Sequence, residues 1–266
     1  MKKRTNDKNI KSQGRKIPTG IPEFAAALGV VVLIIGLSIA FNHMGATDKS
    51  NDTADEATAP EVSFFDHTIM NSVPDRVSEY PLSVSEYVNI DKIYAATGYF
   101  PEDGNDEAVE NVLAVQLTNT SDKALEYLTF RLFLNESSYR FAATTVPAGK
   151  SVYVFNDEKK EAPEVIRYVD IAVDYEVYFP EEPSIESEVF DYGLGSGSVT
   201  VTNISDTDIE SDIVVYYKNK SDRGYYGGIT YRFRITGGLR ASESFTAYAP
   251  HVNPQMTEIM FVQYEK

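Results

Sequence analysis

Apolar positions fall in two patterns along this chain. The first is an unbroken run near the start, Phe24 to Phe41, reading FAAALGVVVLIIGLSIAF with no charged residue. At about 1.5 Å per residue it spans roughly 27 Å, enough for the hydrocarbon core of a bilayer. Ile21 and Pro22 extend it, and Pro22 suits a first helical turn, where a missing N–H removes no helix bond. The expected element is a transmembrane helix over residues 21–42, meeting the membrane through residues 24–41. The second pattern begins beyond residue 60 and has period two, the signature of strands with one buried side. Val165, Val169, Ile171, Val173, Tyr175, Val177 and Phe179 share one face, broken by Arg167, while Asp170, Asp174 and Glu176 share the other. Ile229, Tyr231, Phe233 and Ile235 alternate with Thr230, Arg232 and Arg234. Val152 to Phe155 forms a short apolar strand after a Pro147-Ala148-Gly149 turn. No long amphipathic helix is expected after residue 60, and residues 65–95 read as irregular chain or a short helix. The expected class is all-β after one N-terminal helix.

Charge gives these elements a direction. Residues 1–20 carry seven Lys or Arg and one acid, Asp7. A basic tail before an apolar span stays in the cytoplasm, so the C-terminal region is expected outside the cell. The net charge of the whole chain is −16, and the part after Phe41 carries about −21. That charge opposes nucleic acid, and no nucleic-acid partner is expected. Residues 43–61 are small, polar and acidic, and are expected to act as a flexible linker. The alternative for the apolar run is a cleaved signal peptide, since Ser38-Ile39-Ala40 places small residues where a signal peptidase reads. The chain has no cysteine, which excludes a lipoprotein anchor and suits a bacterium with a single membrane better than the eukaryotic secretory route.

An internal repeat organises the outer region. Leu117-Thr118-Asn119-Thr120-Ser121-Asp122 matches Val201-Thr202-Asn203-Ile204-Ser205-Asp206 at an offset of 84. Val146-Pro147-Ala148-Gly149-Lys150-Ser151 matches Leu239-Arg240-Ala241-Ser242-Glu243-Ser244 at an offset of 93. The second copy therefore gains nine residues within 219–238, a segment containing Arg223-Gly224-Tyr225-Tyr226-Gly227-Gly228. Modules over residues 62–180 and 181–266 are expected. The order of strand, Asn-x-Ser-Asp turn, strand and Pro-Ala-Gly-type turn resembles the bacterial FxLYD-type modules. Phe130-Arg131-Leu132-Phe133 is similar to their naming motif, with Phe in place of its Tyr and no following Asp; Val214-Val215-Tyr216-Tyr217 departs further. The resemblance implies two tandem immunoglobulin-like β-sandwich modules outside the membrane, with an accessory or adhesive role and no catalytic residues.

The residues offer little for catalysis. Cysteine chemistry is absent, the three histidines are His43, His67 and His251, and there is no G-x-S-x-G elbow, P-loop or G-x-G-x-x-G. No enzyme activity, cofactor or metal is expected. Two acidic clusters, Asp206/Asp208/Glu210/Asp212 and Asp103/Asn105/Asp106/Glu107, are calcium candidates by composition, or else solvated acidic edges. Asn-x-Ser/Thr triplets occur at Asn51, Asn119, Asn135, Asn203 and Asn219; in a eukaryote they would be glycosylation acceptors, and an Asn/Ser/Thr-rich β-protein also produces them by chance. One segment runs against the acidic background: Lys218, Lys220, Arg223, Arg232, Arg234 and Arg240 face only Asp222. Arg223, Tyr225, Tyr226, Arg232 and Arg234 are the candidate partner-binding residues, because Arg and Tyr carry interface energy most often. The partner would be an anionic envelope polymer, such as a teichoic acid, or an acidic protein; the competing reading pairs these cations with carboxylates of the 206–212 turn. The expected function is a non-enzymatic, membrane-anchored binding or scaffold role at a Gram-positive-like surface. The alternatives are a sensory or regulatory subunit of a membrane complex and an envelope enzyme of unrecognised type.

Overall fold

The computed structural model describes residues 68–105 and 107–265. The expected basic tail, transmembrane helix and linker lie outside the described residues, as do His43, His67, Asn51 and Asp106. Among the described residues there are fourteen strands and no helix long and apolar enough to cross a membrane. In chain order they are β1 Ile69–Ser72, β2 Leu82–Ser83, β3 Val88–Tyr99, β4 Ala108–Asn119, β5 Leu125–Leu134, β6 Ser137–Val146, β7 Ser151–Phe155 and β8 Val169–Tyr178. They continue as β9 Phe190–Gly195, β10 Ser198–Asn203, β11 Ile213–Ser221, β12 Gly224–Ile235, β13 Ser244–Tyr248 and β14 Thr257–Gln263. The all-β expectation holds, and it follows from alternating Val, Ile, Tyr and Phe, which fit a half-buried pleated surface.

The sequence repeat is also a repeat of strand pairing. In the first half β4 lies between β3 and β7, and β5 lies between β6 and β8. In the second half β10 lies between β9 and β13, and β11 between β12 and β14. Each half thus has two three-stranded layers built in the same order, a sandwich-like arrangement. Val115 and Leu117 face Leu128, Phe130 and Phe141 in one core, and Val199 and Val201 face Val215 and Ile235 in another.

The matching turns explain why the two sequence markers travel together. Asn119 is buried, and its amide donates to the carbonyls of Lys123 (2.8 Å) and Val146 (3.0 Å). Asn203 is buried likewise and donates to Thr207 (2.8 Å) and Leu239 (3.1 Å). Val146 and Leu239 open the second marker, so the Asn of the first marker clamps the start of the second. In each copy the Asn Oδ1 accepts from the backbone N–H and hydroxyl of the Ser two residues on, at 3.1 and 2.7 Å in both. Short polar side chains in a turn satisfy backbone groups that no strand partner reaches. These two Asn-x-Ser triplets are folding devices with their amides enclosed. Asn219 is buried too, donating to the His251 carbonyl (2.9 Å) and accepting from Thr257 (2.6 Å).

The halves are joined through the nine added residues. They lengthen the β11–β12 hairpin so that β12 runs past its own half and pairs in parallel with β7, Tyr225 against Val152 and Tyr226 against Tyr153. One continuous sheet results, ordered β1-β3-β4-β7-β12-β11-β14. Tyr225, Met260 and Phe261 of the second half enter the core of the first, and Tyr226 joins Phe100, Val112 and Phe155 in a third cluster. Gly228 makes the close approach possible: a Cβ there would run into the Ala142 carbonyl oxygen of β6. Beyond it Thr144 and Thr230 exchange hydroxyl contacts at 2.8 Å.

Two expectations change. Residues 65–95 contain no helix where described; they form β1, β2 and the start of β3. The long face from Val165 to Phe179 is not uniformly buried. The register between β5 and β8 slips between Thr129 and Phe130, and the slip turns Tyr175 outward, 55% exposed. A bulge inverts the alternation that period-two reading assumes.

Candidate binding site at the seam

The structure distributes the five candidate binding residues over three environments. Tyr225 is buried, its ring in the core of the first half and its hydroxyl donating to Glu258 (3.2 Å). Tyr226 is also largely buried, but it forms one wall of a cavity of about 410 Å³ where the hairpin tip meets the first half. Arg223 lines the same cavity, with Thr68, Met70, Tyr94, Tyr153, Ser221 and Asp222. Arg232 and Arg234 sit at the other end of β12 and are exposed. The β11 partners of β12 run from Ser221, opposite Gly224, to Tyr216, opposite Arg232, so at about 3.3 Å per residue that end begins roughly 17 Å along the sheet from the hairpin tip. Arg234 approaches Asp212 at 3.5 Å, the internal pairing weighed for this segment, and such an exposed pair contributes only about 0–1 kcal/mol.

Other members of the basic segment are committed elsewhere. Lys220 pairs with Glu258. Lys218, counted from sequence among the surface cations, is completely buried. A register shift between Tyr217 and Asn219 turns it inward, where its ammonium donates to the carbonyls of Gly227 (3.0 Å) and Gly228 (2.9 Å). Facing it across the seam is Glu102, whose enclosed carboxylate accepts from the amides of Phe155 (2.8 Å), Gly228 (2.9 Å) and Ile229 (3.2 Å). Burial pushes the Glu102 carboxyl up toward neutrality, against the amide donors and Lys218, which hold it down. Burial pushes the Lys218 ammonium down toward neutrality, against the pull of Glu102. Glu102 thus stitches β7 to β12 directly.

The cavity walls are fixed by their own contacts. The Tyr226 hydroxyl donates to the Tyr99 carbonyl (2.7 Å) and accepts from Thr68 (2.9 Å). Its ring meets Phe155 edge-on at 5.3 Å. Tyr94 and Tyr153 lie at 6.0 Å with their rings tilted by 59°. Burial raises the phenol of Tyr94, and Arg223 offsets part of that rise. Burial and the neighbouring Tyr94 raise Tyr153 in the same way. Both phenols therefore stay neutral at neutral pH, and Arg223 is the one cation of the lining. The result is a cleft of aromatic faces with hydroxyl rims, a guanidinium on one side and the Asp222 carboxylate beside it. Such a lining offers aromatic faces for stacking, hydroxyls for hydrogen bonding and one guanidinium for an anionic group.

The acidic clusters take structural parts. Asp208 accepts from the Ala241 amide (2.8 Å) and Asp212 from the Gly237 amide (3.0 Å). Asp103 accepts from the Asn105 amide (3.0 Å) and pairs with Lys159 (2.7 Å), which also approaches Glu107. Among the described residues no three His, Asp or Glu side chains converge on a metal position. His251 stacks on Tyr231 at 4.3 Å. Sequence reasoning missed Tyr94, Tyr153 and Glu102 as seam residues. Tyr153 looked like one apolar residue in a short strand, and Glu102 like one acid in a turn; only the parallel pairing with β12 brings them together. Comparison with protein-family models, with curated proteins and with solved structures finds no match.

Proposed function

We propose that this chain is a non-enzymatic binding or scaffold protein of a Gram-positive-like cell surface, held by its N-terminal helix with two tandem immunoglobulin-like modules outside. The observation that carries the reading is the seam cleft. Tyr94 and Tyr153 from the first half meet Tyr226 and Arg223, supplied by the residues that the second copy gained. An insertion that both joins the halves and leaves a cationic aromatic cleft suits recognition better than packing alone. The partner is an anionic envelope polymer: its backbone lies on the tyrosine faces and its negative group meets Arg223. Basic residues before Phe24 and acidic residues after Phe41 support the outward orientation.

The test is binding of full-length protein in detergent micelles to purified teichoic acid. Arg223→Ser and Tyr153→Ala should each weaken binding by about tenfold, as loss of a central Arg or Tyr anchor does. Raised salt should weaken the wild-type complex in the same direction. Binding that is absent, or that survives both substitutions and responds instead to Arg232→Ser with Arg234→Ser, would displace the site from the seam.

A further inference from the structure

The strand that receives β12 in the first half has a twin in the second half that receives nothing. β7 pairs Ser151 to Phe155 against Thr118 to Ala114, and β13 pairs Ser244 to Tyr248 against Thr202 to Ser198. Residue for residue, Val152 corresponds to Phe245 and Phe155 to Tyr248. Val152 and Phe155 are 0% exposed, whereas Phe245 is 43% and Tyr248 82% exposed. Open edges are normally blunted by charges, proline or bulges. Ser244-Phe245-Thr246-Ala247-Tyr248 has no charge and no proline, and its pairing with β10 runs without a register shift.

The free groups on this edge can be assigned. The Ala249 amide donates to the Gly197 carbonyl, so alternate residues Ala247 and Phe245 also turn their backbone groups toward β10. Ser244, Thr246 and Tyr248 therefore turn theirs outward, in a set symmetric about Thr246. We infer that β13 is a self-association edge, on which two copies of this chain pair antiparallel about a two-fold axis at Thr246. In that register Thr246 meets its own copy, and Ser244 meets Tyr248, each exchanging both backbone bonds. Phe245 then lies across from Ala247, and Tyr248 across from Ser244. Each large exposed ring faces a small residue, and no like charges meet. A two-fold contact of this kind is closed, so it gives a dimer and not a filament. The three-stranded layers of the two copies become one sheet, as the layers of the two halves do within the chain.

The chain has no cysteine, which makes the test direct. Full-length protein carrying Thr246→Cys, purified in micelles, is exposed to a mild oxidant. Paired residues of this kind have Cα atoms about 5.5 Å apart, within disulfide range. The expected result is a covalent dimer for Thr246→Cys and none for Asp191→Cys on β9, at the far edge of the same layer. Adding Tyr248→Lys to Thr246→Cys should reduce the dimer about tenfold, because the edge then carries a charge and loses the Tyr248 ring it buries. Sedimentation of the cysteine-free wild type should show concentration-dependent dimers that Tyr248→Lys abolishes. Equal cross-linking at both cysteine positions, a wild type that sediments only as monomer, or Thr246→Cys adducts in membranes with a different protein in place of a doubled chain would each overturn the proposal.

Discussion

β7 and β13 are the same strand built twice, and they end in opposite environments. Both follow a turn clamped by a buried Asn, and both pair with a strand that ends in that Asn. β7 is enclosed because β12 reaches it and Tyr225 and Tyr226 cover it. β13 is open because no strand among the described residues pairs with its outer edge. The difference lies in neither strand's own hydrophobicity: Val-Tyr-Val-Phe and Phe-Thr-Ala-Tyr both carry aromatic residues. It lies nine residues of insertion away, in the partner hairpin. Burial of a repeated strand is a property of what its neighbour can reach.

Several substitutions probe that difference, beginning with the largest effect. Lys218→Met removes the cation of the seam and leaves the Gly227 and Gly228 carbonyls without their donor. It should cost about 3–5 kcal/mol in denaturant unfolding, because each buried carbonyl left unpaired costs about 1–3 kcal/mol. Lys218 and Glu102 also set a pH profile. Glu102 is raised, so the stability it contributes is full in acid and is lost as pH climbs from the ordinary carboxylate range through neutrality. Lys218 is lowered, so its contribution is full in strong alkali and is lost as pH falls from the ordinary lysine range to neutrality. The two together place a shallow minimum of stability near neutral pH, and Lys218→Met should remove the rise on its alkaline side.

Next, Gly228→Ala should cost about 3 kcal/mol, the upper end for overpacking, since the obstacle is backbone. Asn119→Ala and Asn203→Ala should each cost about 2 kcal/mol, from the carbonyls they leave unpaired. Similar losses in the two copies would support equivalent clamps; a loss in one alone would break the equivalence. The smallest effect is stabilising. Gly149 turns the first copy at a φ of 67°, and Ser242 holds the same place in the second at 63°. Ser242→Gly should add about 0.5–1 kcal/mol, the left-handed penalty less the extra freedom of glycine when unfolded. Thermal melts read all of these, and Gly149→Ser should move the opposite way.

Much of this was legible before the structure. Period two gave the all-β class, and offsets of 84 and 93 placed the added residues where the sheet is spliced. The Asn-x-Ser turns were readable as turns, although nothing in their spacing showed that Asn119 reaches Val146. Long-range effects stayed hidden. The burial of Lys218 accompanies a bulge that no local pattern marks, where β12 carries three more residues than β11 between Tyr217 and Asn219, and Tyr217-Lys218-Asn219 reads as ordinary surface chain. The outward turn of Tyr175 depends on a bulge of the same kind. Arg232 and Arg234 looked like neighbours of Tyr225 and Tyr226 in the sequence, yet an extended strand carries them to the far end. The cleft itself needs Tyr94 and Tyr153, which are distant from the insertion along the chain and meet it only through the parallel pairing.

The central claim is that the insertion makes the two halves one cooperative unit. Chemical denaturation of the full-length chain, followed by the near-ultraviolet circular dichroism of its 18 tyrosines, tests it most directly. The expected result is a single transition that Gly228→Ala moves as a whole to lower denaturant. Two transitions, with Gly228→Ala displacing only one of them or neither, would contradict it.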